Sequence, residues 1–165
     1  MQGHLKAFTL RFFTFLIALI AGVGIGEVRF IYEHRQALFT SAAFLGYRFQ
    51  MKAAYASGVD VNAAGCEFSS CFNALWGAAY GGYDDEIHFL VDRGADVNAT
   101  PLKSRTTALM VASYKGHEST VRFLLSLGTN PNATIEGETA VSYARKKGHL
   151  EIVQILKQAG ANECP

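Results

Sequence analysis

The sequence predicts an all-α solenoid: short helix–turn–helix units stacked side by side, joined by short finger loops, behind an apolar N-terminal transmembrane helix. Three observations carry this. Glycines come in pairs twelve residues apart, at Gly46/Gly58, Gly82/Gly94, Gly116/Gly128 and Gly148/Gly160. An asparagine falls four residues after three of the second glycines, at Asn62, Asn98 and Asn132. Apolar residues recur at helical spacing on both sides of each first glycine. The steps between copies are 36, 34 and 32 residues. A near-constant period with fixed internal geometry is the signature of a repeat architecture.

The clearest unit runs from Thr107 to Gly128. Thr107 is a natural N-cap, and Gly116 and Gly128 stand where a chain leaving a helix adopts positive φ. Leu109, Val111 and Ala112 form one apolar stripe; Val121, Leu124, Leu125 and Leu127 form another. Helices this short cannot bury their apolar faces on each other alone, so neighbouring copies must cover them. Those copies read Phe39–Ala42 before Gly46, Asn73–Ala78 before Gly82, and Thr139–Ala144 before Gly148. The stack is expected to close through Leu75, Leu90, Leu109, Leu124, Leu125, Ile152 and Leu156.

Gly94-Ala-Asp-Val-Asn-Ala99, Gly58-Val-Asp-Val-Asn-Ala63 and Gly128-Thr-Asn-Pro-Asn-Ala133 make the pattern specific. It resembles the ankyrin repeat over about residues 36–162, with copies near 36–63, 64–99, 100–133 and 134–162. Alanine replaces the family's helix-opening proline at Ala74, Ala108 and Ala140. Trp76, Met110 and Ser142 replace its histidine, which removes the usual Thr–His link. The hairpin glycine survives only as Gly137, so irregular fingers are expected. The resemblance implies that a protein partner is gripped by the finger tips and by the two residues before each turn glycine. Carried over by position, those are Phe44 and Leu45, Tyr80 and Gly81, Tyr114 and Lys115, and Lys146 and Lys147. The fingers add Phe72, Lys103, Ser104, Thr106, Glu136 and Glu138. This face runs from aromatic to basic along the chain, and aromatic anchors suit protein recognition. The alternative is that Tyr80 and Tyr114 only stack between repeats.

Residues 1–35 are expected to form a separate segment before a repeat domain of residues 36–165. Phe12–Gly26 is uncharged and would span about 22 Å as a helix, short of a hydrocarbon core of about 30 Å. Counting from Ala7 to Gly26, with Arg11 snorkelling, makes the span long enough. Three readings compete: a retained signal anchor over residues 7–26, a cleaved signal peptide ending near Gly24-Ile-Gly26, and an apolar helix capping the solenoid. The first is preferred: the second lacks an A-x-A cleavage site, and the third is weakened because the segment is apolar all round rather than on one face. The terminal amine with Lys6 and Arg11 tips the orientation towards N-inside, with the repeats on the extracytoplasmic, periplasmic side. Val28–Leu38 holds no Gly/Ser/Pro-rich linker and reads as a stiff helical junction into a degenerate first repeat. Arg145, Lys146, Lys147, Lys157 and Gln158 suit the polar outer face of a C-terminal cap.

The 165 residues are half hydrophobic and 18% charged, with a net charge of +1. That balance gives no basic footprint for nucleic acid. Cys66 and Cys71 bracket four residues in an inserted loop. They read either as a small disulfide-closed finger or as two free thiols; C-x₄-C spacing argues against zinc. His117 and His149 recur at one repeat position, which marks a structural role. Asn98-Ala-Thr100 and Asn132-Ala-Thr134 match the glycosylation sequon, but both asparagines are repeat residues. Asp84, Asp85 and Glu86 open a helix, where acids suit the dipole. No nucleophile–base set, paired-acid constellation or phosphate loop is present. The expected function is therefore non-enzymatic, needing no cofactor, metal or small-molecule substrate. It is a membrane-anchored protein–protein interaction module, serving as an accessory or scaffold subunit of a membrane complex. The alternatives are a secreted or periplasmic soluble protein after cleavage, and a thiol redox protein using Cys66 and Cys71.

Overall fold

The structure, a computed structural model, describes residues 25–56, 58–67, 70–101 and 105–162; side chains are described from Arg35 onward, except at 66, 67, 70 and 71. The expected span over residues 7–26 therefore lies outside the described residues but for its last two, as do Lys103 and Ser104. Among the described residues no helix is long and apolar enough to cross a membrane. Residues 36–165 form one compact unit, distinct from residues 1–35.

Helix α1 is Ile25–Leu45, which includes the expected helical run over Val28–Leu38. Nothing in its sequence breaks the helix until Gly46, whose φ is +69°. After it come α2 (Arg48–Ala56), strands β1 (Gly65–Glu67) and β2 (Ser70–Phe72), α3 (Ala74–Gly81) and α4 (Asp84–Val91). Then follow α5 (Ala108–Lys115), α6 (Glu118–Ser126), α7 (Ala140–Lys147) and α8 (Leu150–Gln158). The helices make the expected solenoid. The irregular fingers take a specific form: β1 and β2 pair antiparallel, and Ile135 bridges Glu138 across a tight turn. That turn places Glu136 at φ +53° and Gly137 at φ +80°.

Each inner helix opens on the cap its sequence offers. Asn73 accepts from the Trp76 amide at 2.8 Å, Thr107 from the Met110 amide at 3.2 Å, and Thr139 from the Ser142 amide at 3.2 Å. Ser142 returns the favour by accepting from the Thr139 amide at 2.9 Å, which closes a capping box. Gly82, Gly116 and Gly148 end these helices in the left-handed region.

The core runs continuously through the stack. Leu75, Leu90, Leu109, Leu124, Ile152 and Leu156 are buried as expected, whereas Leu125 is only half-buried. The α5 helix is buried far beyond the predicted stripe, taking in Ala108, Leu109, Met110, Val111, Ala112 and Ser113. It packs on α3 to one side, on α7 to the other, and on α6 behind. Small residues permit that approach: Ala78, Ala112 and Ala144 have no exposed surface. The Ser113 hydroxyl survives there by donating to the Leu109 carbonyl at 2.7 Å.

Polar ladders join successive repeats. Asn62 accepts from the Asp96 amide at 2.7 Å and donates to the Gly94 carbonyl at 3.0 Å. Asn98 accepts from the Asn130 amide at 2.9 Å. Asn132 accepts from the Asn162 amide at 2.7 Å and donates to the Gly160 carbonyl at 3.0 Å. The two sequon asparagines therefore carry repeat-to-repeat links. The acids opening α4 do more than suit its dipole. Asp84 accepts from the Thr120 hydroxyl at 2.6 Å, and Asp85 pairs with Arg48 at 2.8 Å. They tie α4 to the repeats on either side, because a helix N-terminus in a stack also faces its neighbours' helix starts.

Candidate functional site

The residues that the repeat pattern singles out converge on the face made by the inner helices and fingers. Phe44 lies in the last turn of α1, Phe72 ends β2, and Trp76 and Tyr80 lie one turn apart on α3. Their rings pack as a four-membered cluster: Phe44–Tyr80 at 4.9 Å, Phe44–Phe72 at 5.3 Å, Trp76–Tyr80 at 5.3 Å and Phe72–Trp76 at 5.6 Å between centroids. Gly77 lets α3 come this close, since a Cβ there would lie 3.1 Å from that of Phe44. Leu45 is half-buried beside the turn.

Beyond this cluster the surface sinks into a recess of about 170 Å³. Trp76 and Tyr80 form one wall, Tyr114 and Tyr143 the other; buried Met110 and Val111 lie between them. Tyr114 meets Tyr143 edge-on at 6.0 Å and is 37% exposed. The Trp76 indole N–H donates to the Thr106 hydroxyl at 2.9 Å, so that donor is satisfied within the lining. Tyr80 and Tyr114 both pack within the stack, and both line the recess.

The backbone here is fixed by the periodic histidines. His117 Nε2 bonds the Tyr80 carbonyl at 3.0 Å, and His149 Nε2 bonds the Tyr114 carbonyl at 3.3 Å. Each histidine thus holds the preceding repeat at the residue that faces the recess. The turn glycines make room: a Cβ on Gly82 would sit 2.8 Å from the His117 ring, and one on Gly116 would sit 2.6 Å from the His149 ring.

Charge enters from the C-terminal side. The Lys115 ammonium sits 3.7 Å from the Tyr80 ring centroid, and that of Lys147 sits 4.5 Å from the Tyr114 centroid. Lys147 hydrogen-bonds the Tyr114 phenol, and bond and charge together pull its pKa below the usual tyrosine value. Lys146 does not join this pair: it binds Glu138, whose carboxyl is held below its ordinary pKa by that contact and by the Ser142 hydroxyl. Arg105 likewise engages Glu136 at 3.0 Å. Lys146, Glu136 and Glu138 are therefore partnered within the fold, whereas Lys115 and Lys147 lie over tyrosine rings.

Cys66 stands directly opposite Cys71 in the β1–β2 register, with Gly65 opposite Phe72 and Glu67 opposite Ser70. Two residues separate the strands. The hairpin docks tightly on α1, because a Cβ on Gly65 would meet Thr40 Oγ1 at 2.0 Å.

Of the residues named from the sequence, Phe44, Phe72 and Tyr80 share the ring cluster, Tyr114, Lys115 and Lys147 stand at the recess, Leu45 lies before the Gly46 turn, Lys146 binds Glu138, and Lys103 lies outside the described residues. Sequence reasoning missed Trp76, Met110 and Tyr143 as parts of the recess. The signal was present, since Trp76 and Met110 occupy the slot where the repeat pattern carries histidine.

No curated protein matches the chain. A family profile described as ankyrin repeats (3 copies) matches residues 38–135 and, in a second overlapping placement, residues 75–164. The profile thus covers the stack from the end of α1 to the C-terminal helix, and the chain belongs to the ankyrin-repeat family.

Proposed function

We propose that the chain is a membrane-tethered interaction module that holds a protein partner on its inner-helix face, as an accessory or scaffold subunit of a membrane complex. Ankyrin repeats point to protein–protein interaction rather than catalysis. The observation that carries the reading is the aromatic recess between Trp76, Tyr80, Tyr114 and Tyr143, an apolar surface left uncovered on the inner-helix face. In this reading residues 1–35 supply a tail, a signal anchor over residues 7–26 and a junction, and residues 36–165 carry the repeats. Twenty residues interrupted by one snorkelling arginine support the anchor. The terminal amine, Lys6 and Arg11 favour a cytoplasmic N-terminus and extracytoplasmic repeats.

Backbone register supports a second part of the proposal. Residues facing each other across a narrow antiparallel pair sit at a Cα separation of about 4.5–5.5 Å, which a disulfide can bridge. Cys66 and Cys71 are such a pair, and an oxidising compartment outside the membrane would keep them joined.

A photo-crosslinking side chain placed at Tyr114 of the full-length chain in its native cell tests the docking face. A discrete protein adduct from position 114, absent from position 122 on the outer helix α6, is the expected result. Adducts from 122 and none from 114 would reject the face. In the same cells the product should resist carbonate extraction. A mature N-terminus near Glu27 would instead establish the cleaved, soluble form.

A further inference from the structure

We propose that the recess seats one apolar side chain of a partner segment whose neighbouring residues are acidic, with Lys115 and Lys147 taking the carboxylates. This rests on the reading of the inner-helix face as the docking surface and adds the chemistry of what docks there.

Size excludes the usual small ligands. A drug-sized or cofactor pocket is about 300–1,000 Å³, whereas this recess is about 170 Å³. That volume suits a side chain inserted from a longer chain. The lining is aromatic and aliphatic, and its one indole donor is already satisfied by Thr106. The exposed lining is almost wholly apolar, so a polar side chain entering the recess would lose water for little hydrogen bonding in return.

Charge then selects the flanks. Among the described residues, neither Lys115 nor Lys147 pairs with a carboxylate. Each instead rests on the face of a tyrosine that walls the recess. An ammonium has three donors; the ring face occupies one side of it, and at Lys147 one donor also goes to the Tyr114 phenol. The remaining N–H groups stay open to an incoming carboxylate at the mouth of the recess. The nearby acids do not cancel this charge, because Glu136 is held by Arg105 and Glu138 by Lys146 and Ser142. Basic flanks would meet two ammonium groups of like sign. A nucleic acid strand fits less well: it needs a cationic track along its backbone, and this chain carries a net charge of only +1.

Trp76 is the only tryptophan in the chain and lines the recess, so its emission reports occupancy directly. The experiment uses the full chain in mild detergent, with short random peptides displayed and selected against it. Enriched peptides are then synthesised and titrated while Trp76 fluorescence is followed. The expected result is an apolar residue with aspartate or glutamate beside it, and a shift in Trp76 emission on binding. Affinity should fall by about tenfold in the Lys115→Ala/Lys147→Ala double variant. The charge-reversed Lys115→Glu/Lys147→Glu variant should select basic flanks instead, which a misfolded protein could not do. Enriched peptides that shift Trp76 but lack acids would overturn the acidic chemistry and leave the docking face standing. Peptides that leave Trp76 unmoved, or no enrichment at all, would overturn both. A polyuridine oligonucleotide that shifts Trp76 more strongly than any selected peptide would overturn the choice of a protein ligand.

Discussion

The turn glycines show how one residue can meet two demands. Gly128 needs glycine for its φ of +79° alone, since a Cβ there would face open space. Gly116 needs it for a φ of +84° and also for the His149 ring. Gly128→Ala is expected to cost about 1–2 kcal/mol, the price of a left-handed residue. Gly116→Ala should cost more by about 1 kcal/mol or above, because His149 must move off the Tyr114 carbonyl. Equal losses in denaturant titrations would show that the histidine contact contributes nothing. Glu138 offers a pH test with a defined sign. Its folded pKa lies below its ordinary 4.5 because Lys146 and Ser142 favour the carboxylate. A depressed acid stabilises the fold above its unfolded pKa, and that contribution disappears as pH falls through the folded value. Thermal midpoints of wild type and Glu138→Gln should differ at neutral pH and converge in acid. A gap that widens on acidification would reverse the assignment.

At the level of the helix, packing outranks pattern. Leu124 has no exposed surface and lies between repeats on both sides. Leu124→Ala should cost about 2–5 kcal/mol by equilibrium unfolding, and a loss below about 1 kcal/mol would show that α6 packs elsewhere. Caps, turns and most core positions could be read from the sequence because they depend on near neighbours in the chain: Thr107 and Met110, or Ala112 and Gly116. The full burial of α5 could not, since Met110 and Ser113 are covered by α3 and α7, which a single-helix stripe does not see. The same limit explains Asp84 and Asp85, whose partners Thr120 and Arg48 lie 36 and 37 residues away. It also explains Trp76 and Tyr143, which belong to different repeats and meet only across the recess. The cysteine hairpin lies between these cases, with spacing visible in sequence and register visible only in the fold. Non-reducing peptide mapping of protein from its native compartment should find Cys66 joined to Cys71. In the chain-entropy account so short a loop contributes about 2 kcal/mol. A reduced pair together with a reporter fused after Pro165 that faces the cytosol would reject both the disulfide and the proposed topology.

Across the whole stack, stability should be graded, since each repeat depends on its neighbours. Helix α2 buries only Met51, and Tyr47 and Phe49 beside it are exposed, whereas α5 buries six residues. Hydrogen exchange should therefore open α2 well before α5. Uniform protection along the repeats would mean that the domain opens only as one cooperative unit. The asparagine ladder has a direction as well as a strength. Asn62, Asn98 and Asn132 all reach forward, to partners 28 to 34 residues later in the chain. His117 and His149 reach back to carbonyls 37 and 35 residues earlier. A polypeptide leaves the ribosome N-terminus first, so every finished unit waits for the next to emerge before its amide bracket is filled. The growing chain carries one incomplete repeat at its newest end, and a stalled or prematurely terminated product keeps that bracket open to water.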